Sequence, residues 1–472
     1  MLTAPSPPRQ AEPAGDPRRW VMLAVVVCAT FMSSLDTFIV NIALPTIESA
    51  LHASFAQMQL IVAGYTLAFA VLLVTGGRLG DLYGRKRLFL LGTSGFTLFS
   101  ALCGVAPTAS LLILFRIAQG GAAALLVPQV IAFIQVSFPA SERPLAFSIS
   151  AAVGGTASVV GQVIGAWLLV ANLFNLGWRA IFLINVPIGI GALLASSALL
   201  RESRTTSLHR LDYSGAALLM LALTALIFPL VLGARTGWPL WSQISLALCL
   251  PFLLTFLLYE QRVTRQGRLP LISLALLRQR RFLAGLLTNL LANILFAGFL
   301  FLLAFYLQIV LRLSPLQASY VFLASSLSFI SSSSLSPLFS SRLGKWSLSV
   351  AAFLVTLGYL FLLLAALWLV GQWGLLPLVV ALCILGSGMG SLVIPLQPKV
   401  FAGIAHEDVG AASGMYTTAT QAAAALGTAV IGLIFAAFTA TYGSAQPAFV
   451  LSLLVLTLLS LVLSLTVLPL RS

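Results

Sequence analysis

A chain of 472 residues that is 60% hydrophobic and 8% charged, with a mean hydropathy of +1.06, lacks the polar residues to clothe itself in water. Soluble domains carry about 25% charged residues, so a soluble enzyme is excluded. Its 25 Lys+Arg against 11 Asp+Glu leave a net charge of +14, which raises a nucleic-acid surface as a question until the cations are located.

Residues 1–18 contain Pro5, Pro7, Pro8, Pro13 and Pro17 and read as a disordered tail. The run from Trp20 to Leu44 is too long for a signal-peptide core and lacks an Ala-x-Ala end, so it reads as a first membrane span. A spanning helix needs roughly 20 mostly apolar residues. Further runs of that length lie at 57–79, 87–106, 110–136, 145–170, 180–200, 212–233, 242–260, 282–310, 316–340, 347–370, 374–397, 410–440 and 446–468. The total is fourteen, and an even number puts both termini on one side.

The cations then sort by loop. Of the 25 Lys and Arg, 21 fall in the tails and alternate connections, three (Arg179, Arg235, Arg312) in the other set, and Arg116 inside a span. Short cation-rich loops stay cytoplasmic, so both termini are expected inside a multi-pass cell (inner, cytoplasmic) membrane protein. Charge scattered in this way is a topology signal, and no nucleic-acid partner is expected. The basic 261–281 segment either lies on the inner membrane face against anionic lipid or forms a solvated linker. Cys28, Cys103, Cys249 and Cys383 sit in apolar runs without metal-ligand spacing and read as small buried hydrophobes. No metal, cofactor or disulfide is expected.

Two features recur at a near-constant offset. Asp81-Leu82-Tyr83-Gly84-Arg85 follows the second span, and Ser341-Arg342-Leu343-Gly344-Lys345 follows the tenth. Gly121 and Pro128 in the fourth span answer Gly388 and Pro395 in the twelfth. The expected organisation is an all-α integral membrane protein with a six-helix bundle at 19–200, an inserted helix pair with its linkers at 201–281, and a second six-helix bundle at 282–472. Chance similarity between glycine-rich helices is the competing explanation of the repeat. Related halves with a site at their interface suit an alternating-access transporter.

The stretch Gly77-Arg78-Leu79-Gly80-Asp81-Leu82-Tyr83-Gly84-Arg85-Lys86-Arg87 reads locally as a tight reversal between the second and third helices. Its glycines permit close helix approach, and Asp81 is placed to cap the next helix or pair with a neighbouring Arg. The same spacing resembles the signature loop of the major facilitator superfamily. That resemblance implies a conformational latch formed by Gly77, Asp81, Gly84, Arg85 and Lys86, although Leu82 replaces a common Arg. Leu35-Asp36-Thr37-Phe38-Ile39-Val40-Asn41-Ile42-Ala43-Leu44-Pro45 resembles the first-helix motif of the fourteen-span drug:proton antiporters in that superfamily. The run Trp178 to Gly189 resembles that branch's entry to helix six, and Ser413-Gly414 with Gln421 and Gly427 its thirteenth helix. One motif departs. In the fifth helix Gly161, Gln162 and Gly165 stand where antiporters carry a Gly-Pro motif, so a packing and gating face survives without the proline.

Of the eleven acids, ten are assigned to the tail, loops or helix ends, and Asp36 alone lies well inside a span. An Asp at a helix centre costs roughly 2.5–3.5 kcal/mol on insertion scales, so its presence argues for use. The alternative is a packing role, with Asp36 bonded to Asn41 or a nearby hydroxyl. Arg116, in a run resembling the family's fourth-helix motif, lies at a similar depth, about 9 Å below the outer end against about 12 Å at 1.5 Å per residue. Asp36 and Arg116 are therefore the candidate proton-coupling pair. Asn41, Tyr65, Gln129, Asn289, Asn293, Tyr306, Gln308 and Gln421 are candidate lining of a substrate cavity. An apolar cavity with scattered amides suits hydrophobic or amphiphilic compounds.

These features imply proton-coupled export of hydrophobic drugs or small molecules. The alternative keeps the fold and changes the cargo to an endogenous lipid, siderophore or natural product. A membrane enzyme would need a His, Asp or Glu cluster at membrane depth, and the sequence offers one Asp. No G-x-x-x-x-G-K-[ST] loop is present, so an ion gradient is the expected energy source. The expected partners are the small hydrophobic substrate, protons and the bilayer, with the monomer as the working unit.

Overall fold

In hydrocarbon every backbone N–H and C=O must be satisfied within the chain, and continuous helices do this most simply. The computed structural model describes residues 17–139, 142–203, 213–233, 237–266, 274–369, 374–401, 404 and 409–471. Among them, thirteen apolar stretches are long enough to cross a membrane, and one of these, Pro315–Leu367, breaks at Gly344 (φ 52°) into two helices.

The helices run α1 (Arg19–Leu51), α2 (Phe55–Tyr83), α3 (Arg85–Gly104), α4 (Ala109–Ser137), α5 (Arg143–Ala171) and α6 (Gly177–Leu199). Next come α7 (Tyr213–Leu232) and α8 (Leu240–Arg265). The chain ends with α9 (Arg280–Val310), α10 (Pro315–Leu343), α11 (Ser347–Leu364), α12 (Leu376–Phe401), α13 (Val409–Tyr442) and α14 (Ala445–Thr466). The expected tail lies almost wholly outside the described residues.

The two halves use the same local devices at the same offset. His52 and Arg312 both adopt left-handed backbone (φ 48° and 53°) just before a helix. Two residues on, Ser54 and Ser314 each form a capping box with Gln57 and Gln317, satisfying the first free N–H groups of α2 and α10. Gly84 and Gly344, with φ of 109° and 52°, then end those helices in conformations that L-residues avoid.

Packing repeats as well. In the first half α4 packs on α2 and α3, α5 on α1, and α6 on α1 and α3. In the second half α12 packs on α10 and α11, α13 on α9, and α14 on α9 and α11. The bundles meet along two seams related by the same exchange, α2 with α13 and α5 with α10. Helix α7 packs on α8 and also on both α2 and α13, so the inserted pair lies over the first seam. Ala56, Ile227, Val231, Ala425 and Ala429 form the apolar cluster at that junction.

Helix α8 runs past the expected end of its span, and this brings Glu260 inside it, fully buried. Glu260 remains near a helix end, but it is enclosed rather than exposed in a loop. An apolar pattern that stops at 260 hides a helix that continues on polar residues.

Candidate functional site

Five helices of the first bundle converge on Asp36. The residue sits in mid-α1 and is 0% exposed, while Arg116 of α4 is 1% exposed. The Arg116 guanidinium donates through Nη1 to Asp36 Oδ2, and through the same nitrogen to Gln119 Oε1 at 2.8 Å. Its Nε donates to the Ile61 carbonyl of α2 at 3.1 Å. The other carboxylate oxygen, Oδ1, accepts from Gln119 Nε2 at 3.0 Å and from Asn185 Nδ2 of α6 at 3.2 Å. Asn185 Nδ2 also donates to Ser100 Oγ of α3 at 3.1 Å, and that hydroxyl donates to the Phe182 carbonyl. The Tyr65 ring lies under the guanidinium, 4.2 Å from Cζ to the centroid, and its hydroxyl meets Ser33 at 3.1 Å. Cys103 completes the shell against Gln119.

A buried ion pair survives only where its remaining lone pairs and protons find partners. Both carboxylate oxygens are bonded, and the guanidinium has two further acceptors, the Ile61 carbonyl and Gln119 Oε1, and a π face. One atom is left over. Asn185 Oδ1 is buried without a hydrogen-bond partner among the described residues. An amide offers a donor and an acceptor at one end, so Asn185 can serve either an ionised or a protonated carboxyl by turning over.

The surrounding scaffold brings α5 hard against this centre. A Cβ on Gly161 would lie 3.1 Å from the Leu35 carbonyl oxygen, and one on Gly165 would strike Ile39 and Ile42. The next residue, Gln162, faces the other bundle, where Ser326 Oγ of α10 donates to its Oε1 at 3.4 Å. The same short segment of α5 therefore touches the helix of Asp36 on one side and the second bundle on the other.

The remaining sequence candidates are placed as follows. Tyr65 belongs to the ion-pair centre and is fully buried. Asn41 Nδ2 donates to the Thr37 carbonyl within α1 and does not meet Asp36. Gln129 Nε2 donates to the Gly76 carbonyl at 2.9 Å, tying α4 to α2. Asn289 Nδ2 donates to Thr420 Oγ1 (2.9 Å) and the Tyr416 carbonyl, its Oδ1 accepts from Asn293, and together they tie α9 to α13. Tyr306 stacks on Phe449 at 3.7 Å between centroids. Gln421 is half-buried on α13.

Gln308 of α9 donates to the Ile42 carbonyl of α1 at 3.0 Å, across the bundles. Gln59 of α2 donates to the Thr428 and Ala429 carbonyls of α13 (3.1 and 3.3 Å). Phe55 contacts Phe301, Phe305 and Phe435 of the second bundle. These contacts all lie in the half of the molecule away from the cation-rich loops, and they seal the seam there.

The loop after α2 is held from its own bundle. Glu202, beyond α6, accepts from the Lys86 backbone N–H at 3.1 Å and lies 3.8 Å from Arg87 Nε. Arg85 N–H donates to the Ser203 carbonyl, and Lys86 Nζ to the Ser197 carbonyl at 2.7 Å. Glu202 thus caps the N-terminus of α3, the part expected of Asp81, whose side chain lies outside the described residues. Gly77 packs against Pro128. A Cβ at Gly84 would collide with the Glu202 carboxylate.

Gln119, Asn185, Ser100 and Glu202 were not singled out from the sequence. Polar residues in apolar helices were the available signal, and Gln119 and Asn185 stood inside motifs already noticed. Among the described residues no three His, Cys, Asp or Glu side chains come together as a metal group.

Comparison with known proteins agrees with the architecture. Residues 26–428 match the family described as the Major Facilitator Superfamily. The chain is 38% identical to the probable actinorhodin transporter of Streptomyces coelicolor over 92% of this chain and 74% of that protein. It is 33% identical to the tetracenomycin C resistance and export protein of Streptomyces glaucescens (89% and 76% covered). The multidrug efflux pump LfrA of Mycolicibacterium smegmatis is 31% identical (89% and 82% covered). Among solved structures, a bacterial homologue of the human lysosomal transporter Spinster superposes with a TM-score of 0.68 at 13% identity, covering 97% of both chains. At that identity the likeness concerns the fold alone.

Proposed function

The chain belongs to the major facilitator superfamily, and on that premise we propose that it exports hydrophobic or amphiphilic small molecules in exchange for protons, by alternating access. The observation that carries this reading is the enclosed Asp36–Arg116 pair, a titratable carboxylate at membrane depth with a full set of donors. The named antibiotic and multidrug exporters among its relatives support the export of small molecules.

The coupling steps follow from the geometry. A proton arriving on Asp36 cancels the carboxylate charge and so weakens the hold of Arg116. Asn185 turns its acceptor toward the new O–H. Helix α1 is then free to move relative to α4 and α6, and α5 follows it because Gly161 and Gly165 leave no slack against Leu35, Ile39 and Ile42. Gln162 carries that movement to α10. The outer seam, held by Gln59, Gln308 and the Phe55 cluster, opens as the other end closes. With the cation-rich loops cytoplasmic, the end closed by these contacts is the outer one, and both termini are inside. Asp36 is wholly enclosed, so substrate bound between the bundles does not touch it and the coupling is indirect. A single chain contains both bundles and both seams, which is why the monomer is the proposed working unit.

The test is efflux of tetraphenylphosphonium, a lipophilic cation, from energised cells with and without a protonophore. Asp36→Asn is expected to abolish gradient-dependent efflux while the protein still inserts. Undiminished efflux in that variant would refute the proposal. Assays with lipid extracts alongside dyes separate drug export from export of an endogenous lipid or natural product.

A further inference from the structure

A cavity of about 400 Å³ lies away from the ion pair and from both seams, in a crevice between α10 and α11 floored by α12. Its position on α10 is set by helix geometry. Ser326 faces the other bundle, and Leu335, nine residues on at about 100° each, points the opposite way. Leu335, Phe339, Leu343 and Val350 form an exposed apolar rim, so the crevice opens to the surrounding bilayer.

The lining is unusually polar for such a place. Serines in membrane helices commonly return their hydroxyl to a carbonyl one turn back, as Ser332 and Ser347 do here. Ser336 does not. It is 5% exposed, lines the crevice, and has no hydrogen-bond partner among the described residues. The hydroxyls of Ser328, Ser331, Ser340, Ser387 and Ser391 line the same space and likewise have none among the described residues. Hydroxyls left open in hydrocarbon are costly unless a ligand meets them. An acyl tail cannot do that, and a glycerol ester or phosphate can.

Charge selects among such ligands. Lys399 Nζ reaches Ser347 Oγ, a lining atom, at 2.5 Å, and Arg281 is the cation that acts on Lys399 electrostatically. Arg342 and Lys345 flank the mouth in sequence. From residue 261 to 406 the chain holds no Asp or Glu and ten Lys or Arg, all but Arg312 at the cation-rich end. Cations without acids at one membrane face attract anionic lipid.

We propose that the α10–α11 crevice is a binding site for an anionic phospholipid of the leaflet at the cation-rich end. The headgroup sits by Lys399 and Ser347, the glycerol region meets the open serines, and the tails leave over the Leu335–Phe339 rim. Such a lipid bridges helices that otherwise touch little. The experiment is native mass spectrometry of the purified full chain offered equal phosphatidylglycerol and phosphatidylcholine, with thermal melting as the fold control. The wild type is expected to retain phosphatidylglycerol preferentially. Lys399→Gln should weaken that preference about fivefold, the worth of one cation at a lipid surface. Ser331→Phe, filling the crevice from its rim, should remove it, and Arg143→Gln in the other bundle should leave it intact. Should Ser331→Phe melt early, Ser340→Leu takes its place. Equal retention of the two lipids, preference unchanged in folded crevice variants, or displacement by inorganic phosphate alone would each overturn the proposal.

Discussion

Asp36 and Arg116 stand or fall as a pair, because removing one partner leaves the other charged and dry. Breaking a buried ion pair in this way costs about 3–5 kcal/mol. Arg116→Leu is therefore expected to lower thermal stability strongly. Asp36→Asn also leaves the Arg116 charge unneutralised and should lower it too, by less because the amide oxygen of the same shape still accepts from the guanidinium. Melting curves of the two variants in one detergent check this ordering. Asn185→Leu strips a donor from the carboxylate and from Ser100 together. A loss of about 1–3 kcal/mol is expected, with a shifted pH profile of efflux that a packing defect alone would not produce. The pair was legible in the sequence because charge is so scarce that an acid and a base at one depth stand out. The donors around it were not. Gln119, Asn185 and Ser100 come from three helices, and nothing along the chain states that those helices converge. Asn41 illustrates the converse: it lies near Asp36 in sequence but bonds back to Thr37.

At the scale of the element, α5 links the ion pair to the seam. Gly161→Leu is expected to insert but to lose transport, since the added side chain meets the Leu35 backbone. Gly161→Ala should retain part of it, because a few tenths of an ångström relieve its one close contact. Efflux rates normalised to membrane-inserted protein distinguish the two. Near the start of α5 a second pairing gives a pH signature. Arg19 donates to both oxygens of Glu142 (2.7 and 2.9 Å) and holds its carboxyl below the ordinary value of 4.5. A carboxyl whose folded value is depressed contributes stability above its unfolded value, and the contribution is lost as pH falls through the folded one. Glu142→Gln should therefore melt earlier than wild type at neutral pH, with the gap closing in acid. A gap that persists in acid would contradict the assignment. Helix existence was readable from apolar runs, and its limits were not. Glu260 is the example: α8 continues through Glu260 to Arg265 on polar residues.

The whole molecule is a repeated half with one asymmetric addition. Gly84 and Gly344 exposed the repeat in sequence, yet its clearest marks are backbone ones, the left-handed turns at His52 and Arg312 and the paired capping boxes after them. These escape a search for identical residues because His52 and Arg312 share a backbone conformation, not a residue type. The addition, α7 with α8, covers the α2–α13 seam and leaves the α5–α10 seam without an equivalent. Opening at the outer end should respond to the amides that close it. Gln59→Ala with Gln308→Ala is expected to lengthen the distance between spin labels at residues 52 and 312, read by electron–electron resonance. An unchanged distance would remove those amides from the seal.

The central claim is that one proton moves on and off Asp36 as substrate binding and transport proceed. Its most direct measurement is proton release from the purified protein in weakly buffered detergent, followed with a pH-sensitive dye as tetraphenylphosphonium is added. The wild type should release protons in proportion to ligand bound, and Asp36→Asn should bind the ligand with no release. Equal release from both proteins would contradict the account.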